Sequence, residues 1–212
     1  VFRFVDVTSR RTGICFNESP PQWGEASYLR VRDSLIHDCG TYPPANHGHG
    51  VYLAVPTSNA RITDNWIYDN ADRCVQMYPN ADGAIVARNV LDGCGEGLLF
   101  GGSAEDGFCA ASDRNVVQNN IISNARVRWL AEAYWGCQAV GAQNVVRWNC
   151  LWPTNPDTRY NSNSGLEGKP GHTAYENMVA DPVFLDRAAE DFRLRPESPC
   201  AGKGPRELPG PR

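Results

Sequence analysis

Long apolar runs are missing from this chain: no stretch approaches the roughly 18 consecutive apolar residues of a membrane-spanning helix, so no membrane span is expected. Lysine is scarce, with Lys169 and Lys203 the only two, and the formal net charge is −4. That balance supplies no basic stripe for phosphates, so a nucleic-acid partner is not expected. No glycine-rich phosphate loop opens a helix, and no segment sustains a helical apolar period. The cysteines contain no Cys-x-x-Cys pair, which argues against a zinc site. What remains is a chain of 212 residues, 42% hydrophobic and 21% charged. It is enough for one substantial core, or for a solenoid whose core is a row of stacked side chains.

Cysteine is plentiful. Eight are present, at Cys15, Cys39, Cys74, Cys94, Cys109, Cys137, Cys150 and Cys200. Such a spread points to disulfides and an oxidising, extracellular setting. The chain starts at Val1 without an initiator Met or a signal segment, and reads as a processed or trimmed product. One glycosylation sequon, Asn17-Glu18-Ser19, is of a kind that arises often by chance.

Five segments align without gaps, beginning at Val31, Ile62, Val86, Val117 and Val146, with steps of 31, 24, 31 and 29 residues. A minimum spacing in the twenties with longer steps is the mark of a solenoid carrying loop insertions. The first position holds only Val or Ile, and the sixth holds Ile36, Ile67, Leu91, Ile122 and Leu151, as a buried strand face requires. The fourth holds Ser34, Asn65, Asn89, Asn120 and Asn149. Asn tolerates the left-handed backbone of a sharp bend, and amides stacked at about 4.8 Å form a hydrogen-bonded ladder. Each segment therefore reads as strand, Asn bend, strand.

A third short strand follows most copies: Gly50-Val51-Tyr52-Leu53, Cys74-Val75-Gln76-Met77 and Gly97-Leu98-Leu99-Phe100. A poorer copy lies near Leu130, and Thr12–Phe16 belongs to an earlier coil. Alternation turns Val51, Leu53, Val75, Met77, Leu98 and Phe100 inward, and Tyr52, Gln76 and Leu99 outward. The expected fold is all-β, a right-handed parallel β-helix of about five or six coils with three short strands each. Residues 1–153 form the coils, and 154–212 form a final loop and an irregular C-terminal closing segment of the same domain. A β-sandwich ranks second, since it has no reason to place Asn at one offset in strand after strand.

The Val/Ile-x-x-Asn-x-Ile/Leu repeat, the passage His49-Gly50-Val51-Tyr52-Leu53 into Ile62-Thr63-Asp64-Asn65, and the tail Asp181-Pro182-Val183-Phe184 with Asp191-Phe192-Arg193-Leu194 resemble pectate-lyase-like secreted bacterial β-helix proteins. The resemblance covers about residues 28–200. It implies a groove along one sheet that takes acidic or neutral polysaccharides, in a family that includes lyases, hydrolases, epimerases and proteins without known chemistry. Two departures stand out. The coils are few, so an N-terminal cap or further coils are expected upstream, and the dense Lys/Arg and Asp cluster of a calcium-dependent pectate lyase is lacking.

Elimination or epimerisation next to a sugar carboxylate needs a base, a cation for the carboxylate, and an acid. On the outward face of the third-strand sheet, His49, Tyr52 and Arg73 are the candidate catalytic set, with His47, Gln76, Tyr78 and Glu96 as substrate-binding neighbours. The bland reading makes His47 and His49 turn residues of the Gly-rich loop Asn46–Gly50. His37, Tyr68 and Asp92 share the seventh position and are expected to form a solvated ladder on another sheet. Asp33, Asp64 and Arg88 at the third position read as charge compensation. Asp33 with Asp64, or Asp38 with Asp69, offers oxygen ligands of the kind calcium takes, but two carboxylates do not define a metal site.

Trp23, Trp129, Trp135, Tyr134 and Trp152 are suited either to stacking on sugars or to capping the solenoid. Cys39 and Cys94 share a column two coils apart, too far for bonding, so Cys74 in the intervening coil is placed to reach one of them. Cys109 and Cys137 are placed to tie two long loops. The functional expectation is a secreted protein that binds, and cleaves by β-elimination or epimerises, an acidic polysaccharide. The rival is a non-catalytic extracellular scaffold, adhesive module or fibre component that self-associates through its β-helix ends.

Overall fold

The computed structural model describes residues 1–17, 26–54, 57–103, 109–153, 166 and 168–211. Its backbone winds as a parallel β-helix in which each strand pairs with the equivalent strands of the coils on either side. Sheet one stacks Phe2–Arg3, Arg30–Arg32, Arg61–Thr63, Ile85–Ala87, Val116–Gln118, Asn144–Arg147 and His172–Tyr175 in chain order. Sheet two stacks Asp6–Thr8, Leu35–His37, Trp66–Tyr68, Val90–Asp92, Ile121–Ser123, Cys150–Trp152 and Met178–Val179. Sheet three holds Phe16–Asn17, Val51–Leu53, Arg73–Met77, Glu96–Ser103 and Ala131–Trp135, with the short Ala110–Ala111 strand antiparallel on the far end of Glu96–Ser103. The stack runs further at both ends than the five aligned segments.

Register turns the sequence columns into rows. Val31, Ile62, Val86, Val117 and Val146 are successive Cα partners along sheet one, and none is more than 1% exposed. Ile36, Ile67, Leu91, Ile122 and Leu151 make the matching inward row of sheet two. The third row is Val51, Val75, Leu98 and Ala131 on sheet three. The core is therefore a column of like residues at like heights, which favours tight packing of β-branched and aliphatic side chains.

The Asn row forms as a ladder. Nδ2 of Asn65 donates to Oδ1 of Asn89 at 2.9 Å, Asn89 to Asn120 at 3.0 Å, Asn120 to Asn149 at 3.0 Å and Asn149 to Asn177 at 2.9 Å. The second Nδ2 proton of each goes to a first-position carbonyl one coil back, such as Val31 for Asn65. The left-handed residue of the bend is not the Asn, as expected, but its predecessor: Asp33, Asp64, Arg88, Asn119, Trp148 and Glu176 all have φ between 53° and 58°. The Asn must face inward to reach its neighbours, and the kink that aims it belongs to the residue before. The third position then tolerates Asp, Arg or Trp because its side chain lies outside the inward rows, half-buried or exposed.

Four disulfides use every cysteine: Cys15–Cys39, Cys74–Cys94, Cys109–Cys137 and Cys150–Cys200. Cys74 bonds one of its two expected partners, and the Cys109–Cys137 tie forms. The last bond fixes the closing segment, whose hairpin Phe184–Asp186/Asp191–Leu194 lies over sheet two.

That hairpin overturns the solvated ladder expected for His37, Tyr68 and Asp92. Tyr68 stacks on His37 at 4.8 Å, packs against Phe192 at 5.1 Å, and donates its hydroxyl proton to Glu190 at 3.0 Å. Asp92 is fully buried, accepting from Ser123 Oγ at 2.7 Å and Arg187 Nε at 2.8 Å.

Candidate functional site

The outward face of sheet three carries an open cleft of about 440 Å³. Register sets it out: Gln76, Leu99 and Glu132 line it as successive Cα partners on the outward side of their strands, in a row that Tyr52 begins outside the cleft. Two residues further along, Tyr134 pairs with Gly101. Tyr78 and Tyr134 face each other over that glycine with ring centroids 6.2 Å apart. A Cβ at Gly101 would lie 2.1 Å from the Tyr134 carbonyl oxygen and 3.2 Å from the Tyr78 ring, so only glycine keeps this floor low. Arg128 closes one side of the cleft and Asn46 borders Arg73.

Arg73 is the hub. It is 4% exposed, and its Nε donates to Glu96 Oε2 at 2.8 Å. Its Nη1 donates to Gln76 Oε1 at 3.0 Å and to Asn46 Oδ1. The guanidinium is thus fixed by three side-chain partners, and its charge partner Glu96 is only 1% exposed. Burial raises the Glu96 carboxyl well above its usual range; Arg73 works against that, and contact with Glu132 adds to it.

The expected site residues divide. Arg73, Gln76 and Tyr78 line the cleft, and Glu96 stands behind Arg73. His49 does not line it. The ring is 1% exposed and its Nδ1 accepts the Arg73 backbone N–H at 3.4 Å. Burial first, and then the Arg73 charge, lower its pKa to about 4. Tyr52 is half-buried against the His49 ring at 5.3 Å, and His47 is exposed on the preceding loop.

Sequence reasoning missed Asn46, Arg128 and Glu132 as site residues. Glu132 had a signal, since extending the weak copy at Leu130 by alternation puts it in the row of Gln76 and Leu99. Arg128 and Asn46 lie in loops with no period to follow. Tyr134 lines the cleft, whereas Trp135 packs on Phe100 and donates Nε1–H to the Pro170 carbonyl at 2.9 Å, a capping role. Trp23 lies outside the described residues.

The aspartates considered for calcium are held by cations. Asp33 meets Arg3 at 2.6 Å, Asp64 receives both arms of Arg88, Asp38 meets Arg11 at 2.5 Å, and Asp69 meets Arg187 at 3.3 Å. Among the described residues no three His, Cys, Asp or Glu side chains gather to hold a metal ion.

Residues 2–146 match a family described as right handed beta helix region. No curated protein and no solved structure matches the chain.

Proposed function

The chain belongs to the right handed beta helix family, and from that premise we propose that it is a secreted protein that binds an acidic polysaccharide in the sheet-three cleft. One observation carries this reading: two guanidiniums, Arg73 and Arg128, share an open cleft with two tyrosine rings set over a glycine floor. A guanidinium recognises a carboxylate through paired N–H donors. Tyrosine rings offer an apolar face to a sugar ring and a hydroxyl to its oxygens. Arg128, exposed at the rim, takes the sugar carboxylate, because Arg73 is committed to Glu96, Gln76 and Asn46.

The same cleft has the makings of elimination or epimerisation, with cations for the carboxylate and Glu132 on the wall as a proton-transfer group. In this reading His49 supports the start of the Arg73 strand by accepting the Arg73 backbone N–H, and Tyr52 packs against the His49 ring. The four disulfides favour an extracellular place of action.

The test is calorimetric titration with oligomers of galacturonate, mannuronate and glucuronate against a neutral glucan, with ultraviolet detection of unsaturated products in parallel. One uronate oligomer is expected to bind and the glucan to fail. Arg128→Ala is expected to weaken that binding about 10- to 100-fold, the loss of one charge-assisted hydrogen-bonding group. Failure of every uronate oligomer to bind rejects the reading.

A further inference from the structure

We propose that the outward face of sheet one holds a second binding site, a three-arginine pocket that takes a tetrahedral oxyanion group, a phosphate or a sulfate ester. The site lies on a different sheet from the cleft and does not rest on the saccharide reading above.

Register places the site. Val31 and Ile62 are buried in the core, so alternation puts the residues beside them on the outward face. Arg30 and Arg61 are direct Cα partners there, and Arg32 has Arg3 as its partner on one side and Thr63 on the other. Arginines opposite one another on strands about 4.8 Å apart repel. Further along the sheet the row of Arg30 and Arg61 continues as Ile85 and Val116, and that of Arg32 and Thr63 as Ala87 and Gln118. The cationic block is thus confined to the first coils, in a chain whose net charge is −4.

Elsewhere in the stack arginines are matched. Arg88 gives both arms to Asp64, and Arg147 donates twice to Gln118. The block differs. Among the described residues Arg30 makes no side-chain hydrogen bond or ion pair. Arg32 has only Asp33 at 4.0 Å, a carboxylate that Arg3 already holds at 2.6 Å. Arg61 spends Nη1 on the carbonyls of Ala60 and Gly83, both at 2.9 Å, which fixes the guanidinium and leaves its other donors available. These three side chains meet at a pocket of about 380 Å³, completed by Val1 and Thr63, and no carboxylate of the described residues lines it.

The donor set selects the ligand. A carboxylate offers two coplanar oxygens, which one guanidinium fork occupies. Three guanidiniums reaching from two strands exceed that capacity. A phosphate or sulfate group spreads its oxygens over a tetrahedron and accepts from all three, with the Thr63 hydroxyl as a further donor. An anion seated there also offsets the repulsion between Arg30 and Arg61.

The test follows arginine side-chain N–H resonances by NMR while inorganic phosphate, inorganic sulfate or acetate is added at constant ionic strength. Saturable shifts at Arg30, Arg32 and Arg61 are expected with phosphate and sulfate, and about tenfold weaker binding with acetate. Replacing Arg30 and Arg32 together by Gln is expected to weaken phosphate binding about 10- to 100-fold. Arg193→Gln, which removes a charge from the closing hairpin where Asp191 pairs it, is expected to leave that binding unchanged. Urea midpoints separate binding from folding: phosphate should raise that of the wild type and not that of the folded double variant. Absence of saturable shifts, an equal response to acetate, or undiminished phosphate binding in the double variant overturns the proposal. A sulfated glucan oligomer that binds more tightly than sulfate assigns the group to a polymer, and one that binds more weakly assigns it to a free ion; both results keep the site. No uronate enters the experiment, so its failure leaves the cleft reading in place.

Discussion

Asn120 uses both ends of its amide inside the stack. Its Oδ1 accepts from the backbone N–H and the Nδ2 of Asn89 at 2.9 and 3.0 Å, and its Nδ2 donates to the Val86 carbonyl and to Asn149. Alanine there leaves the Asn89 N–H and Nδ2 donors and the Val86 carbonyl without their Asn120 partner in the buried stack, so Asn120→Ala is expected to cost about 3–5 kcal/mol in urea unfolding. Asn177 ends the row half-buried, and Asn177→Ala is expected to cost less than half as much. Equal costs at the two positions would disprove a cooperative ladder. Buried acids set a second residue-scale expectation. Burial raises both Glu96 and Asp92, so the native state holds more protons than the unfolded chain above the ordinary carboxyl range. Stability from these groups is greatest at low pH and declines as pH rises past about 4. Glu96→Gln is expected to flatten that decline in denaturation midpoints measured from pH 4 to 8.

At the scale of elements, the cleft depends on close approach of two strands. Gly101→Ala would drive a methyl group into the Tyr134 carbonyl, forcing Ala131–Trp135 away from Glu96–Ser103. The expected result is weaker uronate binding together with a stability loss of about 1–3 kcal/mol. Unchanged binding in a destabilised variant would separate the tyrosine pair from the site. Arg187 adds an ionic tie to the hairpin over sheet two, beside the Tyr68–Glu190 hydrogen bond and the Phe192 packing. Arg187 is the charge partner of fully buried Asp92 and also meets Asp69. Arg187→Ala strands the Asp92 charge and is expected to cost about 2–3 kcal/mol near neutral pH, less than a wholly buried pair because the guanidinium is partly wet. The loss should shrink at low pH, where Asp92 is protonated. A pH-independent loss would mean that Arg187 acts by packing alone.

Across the whole molecule, each coil of a solenoid touches mainly its neighbours, so long-range ties matter. The closing segment supplies one. From Cys150–Cys200 it returns along sheet two, with Gly204 N–H on the Asn119 carbonyl and Gly210 N–H on the Asp33 carbonyl, both at 2.9 Å. It thereby links coils that otherwise never meet. Replacing Cys150 and Cys200 by Ser is expected to cost about 2–4 kcal/mol. Hydrogen exchange should rise together along Leu35–His37, Trp66–Tyr68 and Val90–Asp92. A rise confined to the Cys150 coil would show that the segment is no clasp.

The sequence by itself determined the coil, the inward rows and the amide ladder, because each demands the same residue type at the same offset in every turn. It also marked Gln76 as outward by strand alternation, and grouped Arg73, Tyr78 and Glu96 with it because they occupy nearby places in successive coils. The end coils were illegible: Phe2–Thr8 and Ala174–Val179 are partly exposed and escape the strict pattern of buried turns. The burial of His49 was hidden too. Its glycine neighbours read as a turn, whereas Gly50 packs so tightly that a Cβ would lie 2.7 Å from Asn70 Nδ2. Only the tertiary structure decided that Arg128 and Asn46 reach the cleft and that the tail roofs sheet two. These contacts join loops and strands whose separation varies with each insertion, so no repeated spacing encodes them.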